Sequence, residues 1–186
     1  ALPVKVAMAL ELITASSQTR RIIREFRHQH EGLRQNSASS VCCPFEAQLQ
    51  ATAVKLGLSA NVVFEVIDEW MISRPGRWLR MFQRTSLVNE IREHRRQHGL
   101  TALVSDYPAR RKLEALGIES LFDVIVASGE ESGPNRLKPD PDGYLKAAAR
   151  LGVSSEECLV LGDRRDADGA AAARAGMSFR RIPGAS

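Results

Sequence analysis

The sequence predicts an α/β protein: a doubly wound, mostly parallel sheet preceded by a long helical region. Three observations carry this. Beyond residue 99, short apolar segments alternate with helical patterns at the spacing of strand-helix-strand crossovers. Over the first hundred residues the apolar spacing is helical almost throughout. The stretch from Cys158 to Met177 passes from Leu159-Val160-Leu161-Gly162 into Asp163, Asp166 and Asp168, then into an alanine-rich segment closed by Gly176. That order reads as strand, acidic loop, helix and glycine stop.

Taken in order, residues 1–15 set Val4, Val6, Leu10, Leu12 and Ile13 in a helical pattern, with Pro3 where a helix can begin. Residues 19–33 put Ile22, Ile23 and Phe26 on one side and Arg20, Arg21, Arg24, Arg27, His28 and His30 on the rest, a basic face expected to be solvated. Residues 35–40 are small and polar, a loop by composition. A helix is predicted over 45–56 through Leu49, Ala53 and Leu56, stopped by Gly57, and the next, capped by Ser59 or Asn61, carries Val62, Val63, Val66, Ile67 and Trp70. A loop is predicted at Arg74-Pro75-Gly76-Arg77, a helix from Trp78, and a charged amphipathic helix over 85–98 ending at Gly99. Strands are then predicted at 100–105, 123–127, 159–162 and 178–182, with helices at 109–116, 141–151 and 169–175 between them.

At 186 residues and 44% hydrophobic content the chain can bury a sizeable core. No apolar run approaches the roughly 20 residues that cross a bilayer, and the first residues lack the charged-then-apolar pattern of a secretion signal. A cytoplasmic protein without a membrane partner is the expectation. Cys42, Cys43 and Cys158 make neither a disulfide framework nor a zinc spacing. A net charge of +4 is mild, and with aromatics at 5% there is no stacking platform, so nucleic acid is not an expected partner.

Each strand end in the second half delivers a polar group to the carboxyl edge of the sheet, where ligands bind in open α/β folds. Ser105 follows Ala102-Leu103-Val104, Lys138 lies in Arg136-Leu137-Lys138-Pro139-Asp140-Pro141, and Asp163 follows Gly162. A hydroxyl, an ammonium and carboxylates converging there make a phosphate site, and hard oxygen ligands suit Mg2+. Each also has a plainer reading: a turn serine, a surface lysine, a capping aspartate. One cap would account for one aspartate, whereas three within six residues exceed it. His94 and His98 stand four apart on a helix, but without a third ligand they read as a solvated face, and His28 and His30 read as surface too. Trp70 and Trp78 read as packing within the helical region.

These residues, in this order and spacing over 100–183, resemble the haloacid dehalogenase superfamily of phosphohydrolases. Ser105 matches its second motif, Lys138 its third, and Gly162-Asp163-Arg164-Arg165-Asp166-Ala167-Asp168 its fourth. The resemblance implies a Rossmann-like core over residues 81–186 and a helical cap over 1–80. It implies a magnesium-dependent phosphatase acting on a small phosphorylated metabolite through an aspartyl-phosphate. Ser105 would hydrogen-bond the transferring phosphoryl group, Lys138 would neutralise its charge, and Asp163 would hold Mg2+. Asp168 is the second acidic partner, with Asp166 as the alternative.

The family's first motif, an Asp-x-Asp pair ending a hydrophobic strand, is not found in these 186 residues. It supplies the nucleophile and the general acid. The expectation is therefore a phosphatase lacking its first strand and inactive as it stands; the alternative is a non-catalytic relative that binds phosphate or a partner. A response-regulator receiver is disfavoured, because its acidic pair precedes its hydroxyl and lysine. In the resembled fold the first strand lies between 100–105 and 159–162. Those two strands should accordingly close up, be joined by another segment, or leave a poorly stable chain.

Overall fold

A computed structural model of the chain describes residues 2–35, 43–81 and 83–182. Its first part is helical: α1 Leu2–Thr14, α2 Ser17–Gln35, α3 Pro44–Leu56 and α4 Ala60–Ile67. From Asp68–Ser73 the helix widens into a π turn, and α5 Pro75–Met81 follows. The loop expected at 74–77 is thus replaced by helix. Pro75 stands at the head of α5, directly after the π turn, whose Arg74 N–H donates to the Glu69 carbonyl at 2.9 Å. The helix α6 Thr85–Arg96 completes this part. The loop expected at 35–40 lies, apart from Gln35, outside the described residues.

The apolar side of α2 makes the first core. Ile22, Ile23 and Phe26 pack with Phe45, Leu49 and Ala53 of α3, with Val63 and Ile67 of α4, and with Ile72. Phe26 is fully buried and meets the Phe45 ring edge-on at 5.8 Å. A polar seam crosses this core: buried Gln48 donates from Nε2 to the Phe26 carbonyl at 2.6 Å, and its Oε1 lies 3.2 Å from His30 Nδ1. His30 is buried, not on the surface as expected. It stands four residues beyond Phe26 and so shares the inward face of α2. Helix ends follow the sequence signals, with Ser59 accepting from the Val62 N–H at 3.4 Å and Gly57 closing α3 at φ 66°.

The second part is α/β: β1 Ala102–Ser105, α7 Arg110–Leu116, β2 Val124–Ala127, α8 Asp142–Leu151, β3 Leu159–Gly162, a π turn over Arg165–Gly169, α9 Ala170–Arg174 and β4 Ser178–Arg181. β1 pairs with β2 in parallel, Ala102 against Val124, and β3 pairs with β4 in parallel, Leu159 against Ser178. The two pairs are separate two-stranded sheets. β1 and β3 therefore do not close up, although they remain on one apolar layer. Val104 packs both with Val160 and Tyr144 and with Val124, Val126 and Ala147. Among the described residues no helix is long and apolar enough to cross a membrane.

Helical and α/β parts are tied by α7. The Arg111 guanidinium pairs with Asp68 and donates to Ser73 Oγ at 2.7 Å, bonding α7 to the π turn after α4. Below it, Leu113 joins Val88 of α6 and Ile125 of β2 in a further apolar cluster.

Candidate functional site

Ser105 closes β1, where its Oγ accepts the Tyr107 N–H at 3.1 Å and its carbonyl accepts the Ser128 N–H at 3.0 Å. The turn role weighed from sequence is thus present, and it anchors the hydroxyl at the carboxyl end of the strand pair. Next to it, Asp106 Oδ1 accepts the main-chain N–H of Lys138 at 3.2 Å, which joins the loop after β1 to the lysine loop. The Lys138–Pro139 peptide is cis.

Lys138 is no surface lysine. Its Nζ donates to Asp168 Oδ1 at 2.8 Å, with both side chains largely buried. The same carboxylate accepts from the Tyr144 hydroxyl at 3.3 Å and, through Oδ2, from the Arg164 N–H at 3.2 Å. Burial pushes the Asp168 carboxyl up, but the Lys138 charge and these hydrogen bonds outweigh burial and hold it below the usual carboxylate range. Burial and the adjacent Asp168 charge push the Tyr144 phenol well up, so it stays a neutral donor. The π turn folds Asp168 back over the end of β3. A Cβ on Gly162 would stand 2.5 Å from Asp168 Cβ, which explains why that strand ends in glycine.

Asp163 and Asp166 are different. Both are exposed. Asp166 accepts from Arg164 at 2.6 Å, and this bond holds its pKa below the ordinary value. The structure therefore brings Lys138 and Asp168 together, ties Asp106 to the lysine loop, and leaves Asp163 at the solvent side of the acidic loop. His94 and His98 are exposed, as expected.

Three participants were not singled out from sequence. Tyr144 lies in the first turn of α8, six residues after Lys138, and nothing in its helical pattern marks it. Arg34 was legible in principle: with Phe26 and His30 it forms an i, i+4, i+8 stripe on α2. Tyr107 stacks on His30 at 4.5 Å, and its phenol is pushed up to about 12, chiefly by burial.

Against this geometry, a family model for haloacid dehalogenase-like hydrolases matches residues 79–176. The chain belongs to that family. Among curated relatives it is 48% identical over 71 residues to the glyceraldehyde 3-phosphate phosphatase of Methanopyrus kandleri, a match covering 38% of this chain and 29% of that protein. The match thus spans under a third of the relative's length. Among solved structures, the L-2-haloacid dehalogenase of Xanthobacter autotrophicus with covalently bound chloropropionic acid aligns over 96% of this chain and 71% of its own. The TM-score there is 0.63 at 18% identity. The magnesium-bound HAD hydrolase YfnB of Bacillus subtilis aligns over 95% of this chain and 81% of its own, at TM-score 0.58 and 14% identity. These two likenesses establish the family's α/β fold.

The family implies magnesium, and the residues present do not complete a site for it. Among the described residues no group of three His, Cys, Asp or Glu side chains is arranged to hold a metal ion. Asp168 has both oxygens engaged by Lys138, Tyr144 and Arg164. Hard divalent cations take about six oxygens, so Asp163 with Asp168 falls short.

Proposed function

We propose that this chain supplies the cap, residues 1–80, and the core, residues 81–186, of a phosphoric monoester hydrolase acting on a small phosphorylated metabolite. The observation that carries the reading is Lys138, whose main-chain N–H is held by Asp106 next to Ser105 and whose ammonium is held by Asp168 of the acidic loop. In this reading the Ser105 hydroxyl donates to a phosphoryl oxygen. Lys138 neutralises the charge, and Asp168 and Tyr144 hold it in place. The attacking carboxylate belongs to a further strand lying between β1 and β3. It would displace the alcohol from phosphorus, and water would then cleave the acyl phosphate to return the carboxylate and release phosphate.

The test is turnover of p-nitrophenyl phosphate and of a panel of sugar and nucleotide phosphates with magnesium present. Residues 1–186 alone are expected to be inert, since without a nucleophile neither step exists. An N-terminal extension carrying an apolar strand that ends in Asp-x-Asp should create activity, and Lys138→Ala or Asp163→Ala should then remove it. An extended protein that folds yet stays inert, while residues 1–186 capture a ligand or partner, would assign the chain to non-catalytic binding. Calorimetry of residues 1–186 with magnesium should show feeble binding; micromolar affinity abolished by Asp163→Ala would mean that the acidic loop is a complete site.

A further inference from the structure

We propose that Arg34 is a positioning residue for Lys138, through which the helical region holds the lysine loop and the acidic loop in one arrangement. This rests on the reading of Lys138 as the phosphate-facing cation. Arg34 is only 8% exposed, although it is an arginine in the last turn of a helix. Its Nε donates to the Lys138 carbonyl at 2.8 Å, its NH1 donates to Glu31 at 3.1 Å, and its NH2 lies 3.8 Å from Asp166 Oδ2.

These contacts close a ring. Arg34 holds the Lys138 main chain, and Lys138 Nζ holds Asp168 Oδ1. Asp168 Oδ2 accepts from the Arg164 N–H, the Arg164 guanidinium holds Asp166, and Asp166 faces Arg34 again. One turn earlier on the same face, the His30 ring stacks on Tyr107, two residues beyond Ser105. Helix α2 thus touches the loops after β1, before α8 and after β3. The planar guanidinium serves a carbonyl and two carboxylates at once, a task that the point charge of a lysine does not match. Without it the Lys138 carbonyl loses this donor, the loop is released, and the ammonium loses its fixed place beside Asp168.

The readout is the acylation rate of each lysine in the folded 186-residue chain, measured with acetic anhydride and peptide mass spectrometry. In the native chain Lys138 should label slowly against exposed Lys55. In Arg34→Gln, Lys138 should label several-fold faster while Lys55 and Lys146 keep their rates, and Arg34→Lys should restore the slow rate only in part. An unchanged Lys138 rate in Arg34→Gln overturns the proposal, and so does a uniform rise at all lysines, which would mark a general loosening. Should Arg34→Gln fail to fold, Arg34→Lys, which keeps the charge but not the Nε–H that meets the Lys138 carbonyl, is judged by the same two criteria. Inorganic phosphate separates the two readings. Protection of Lys138 in the native chain supports the phosphate site. Its absence, together with fast labelling in Arg34→Gln, counts against that site and leaves the positioning role standing.

Discussion

The helical part and the α/β part of this chain bury their apolar residues in contrasting ways. Around Phe26, large side chains from α2, α3 and α4 close on one another, and Ile22, Phe26, Val63 and Ile67 are almost wholly inaccessible. The α/β part is packed largely with small residues, Ala147, Ala148, Ala171, Ala172 and Ala175 among them. Its strands are unequal: β2 is buried at all four positions, whereas β1, paired with it in register, is half-exposed at all four. Leu159 of β3 is 55% exposed. A parallel strand is ordinarily buried on both faces, so a half-exposed β1 beside a buried β2 marks an open side. Among the described residues the helical core around Phe26 is closed by large side chains, whereas β1 keeps one side open.

The largest expected effect follows from that difference. Joining an apolar strand ending in Asp-x-Asp to the N-terminus should raise phosphate-ester turnover from nothing measurable by several orders of magnitude. It should also slow amide exchange in β1 and β3 while leaving α2 and α3 unchanged. Exchange that slows equally in α2 would mean that the helical part also depended on the added strand.

Core truncations should separate the two parts in the next range of magnitude. Phe26→Ala is expected to cost about 3–5 kcal/mol, the usual loss for a buried aromatic. Val104→Ala, in half-exposed β1, should cost only about 1 kcal/mol, at roughly 0.8 kcal/mol per fully buried methylene. Chemical denaturation measures both, and equal costs would show that β1 is packed as tightly as α2. Gly162→Ala, which sets a Cβ against Asp168, should cost about 1–3 kcal/mol as overpacking and should disturb the Lys138 ion pair as well.

Smaller is the pH dependence of the seam between the parts. Burial lowers the His30 pKa, and the Arg34 charge adds to this, against the opposing pull of Gln48, Asp106 and Glu31. A folded-state pKa below the unfolded value of roughly 6.5 means that the unfolded chain binds the proton first. Stability contributed here is therefore present above roughly pH 6.5 and lost as the pH falls below it. Thermal melts of the native chain and His30→Gln should diverge on acidification through that window, and parallel profiles would remove His30 as the cause. The smallest effect belongs to a helix end. Ser59→Ala removes one cap at 3.4 Å and should cost about 0.5–1 kcal/mol by denaturant titration.

Periodicity and local chemistry were enough for the alternation of strands and helices, the glycine stop at Gly57 and the residue range of β3, and they narrowed the cap of α4 to Ser59 or Asn61, because those signals lie within one or two turns of chain. The grouping of Ser105, Lys138 and the acidic loop at strand ends was legible for the same reason: parallel strands deliver successive loops to one edge. Tertiary structure decided the rest. Spacing puts His30 and Arg34 on the inward face of α2 with Phe26, but neither what they meet there nor the choice of Asp168 over Asp166 as partner of Lys138 is written in it. Each depends on a contact between residues far apart in the chain, 104 positions in the case of Arg34 and Lys138. The persistent separation of β1 from β3 is of the same kind. Each strand's apolar pattern asks only for burial, and which backbone edge lies beside it is settled by the packing of α8 and Val104 across both sheets.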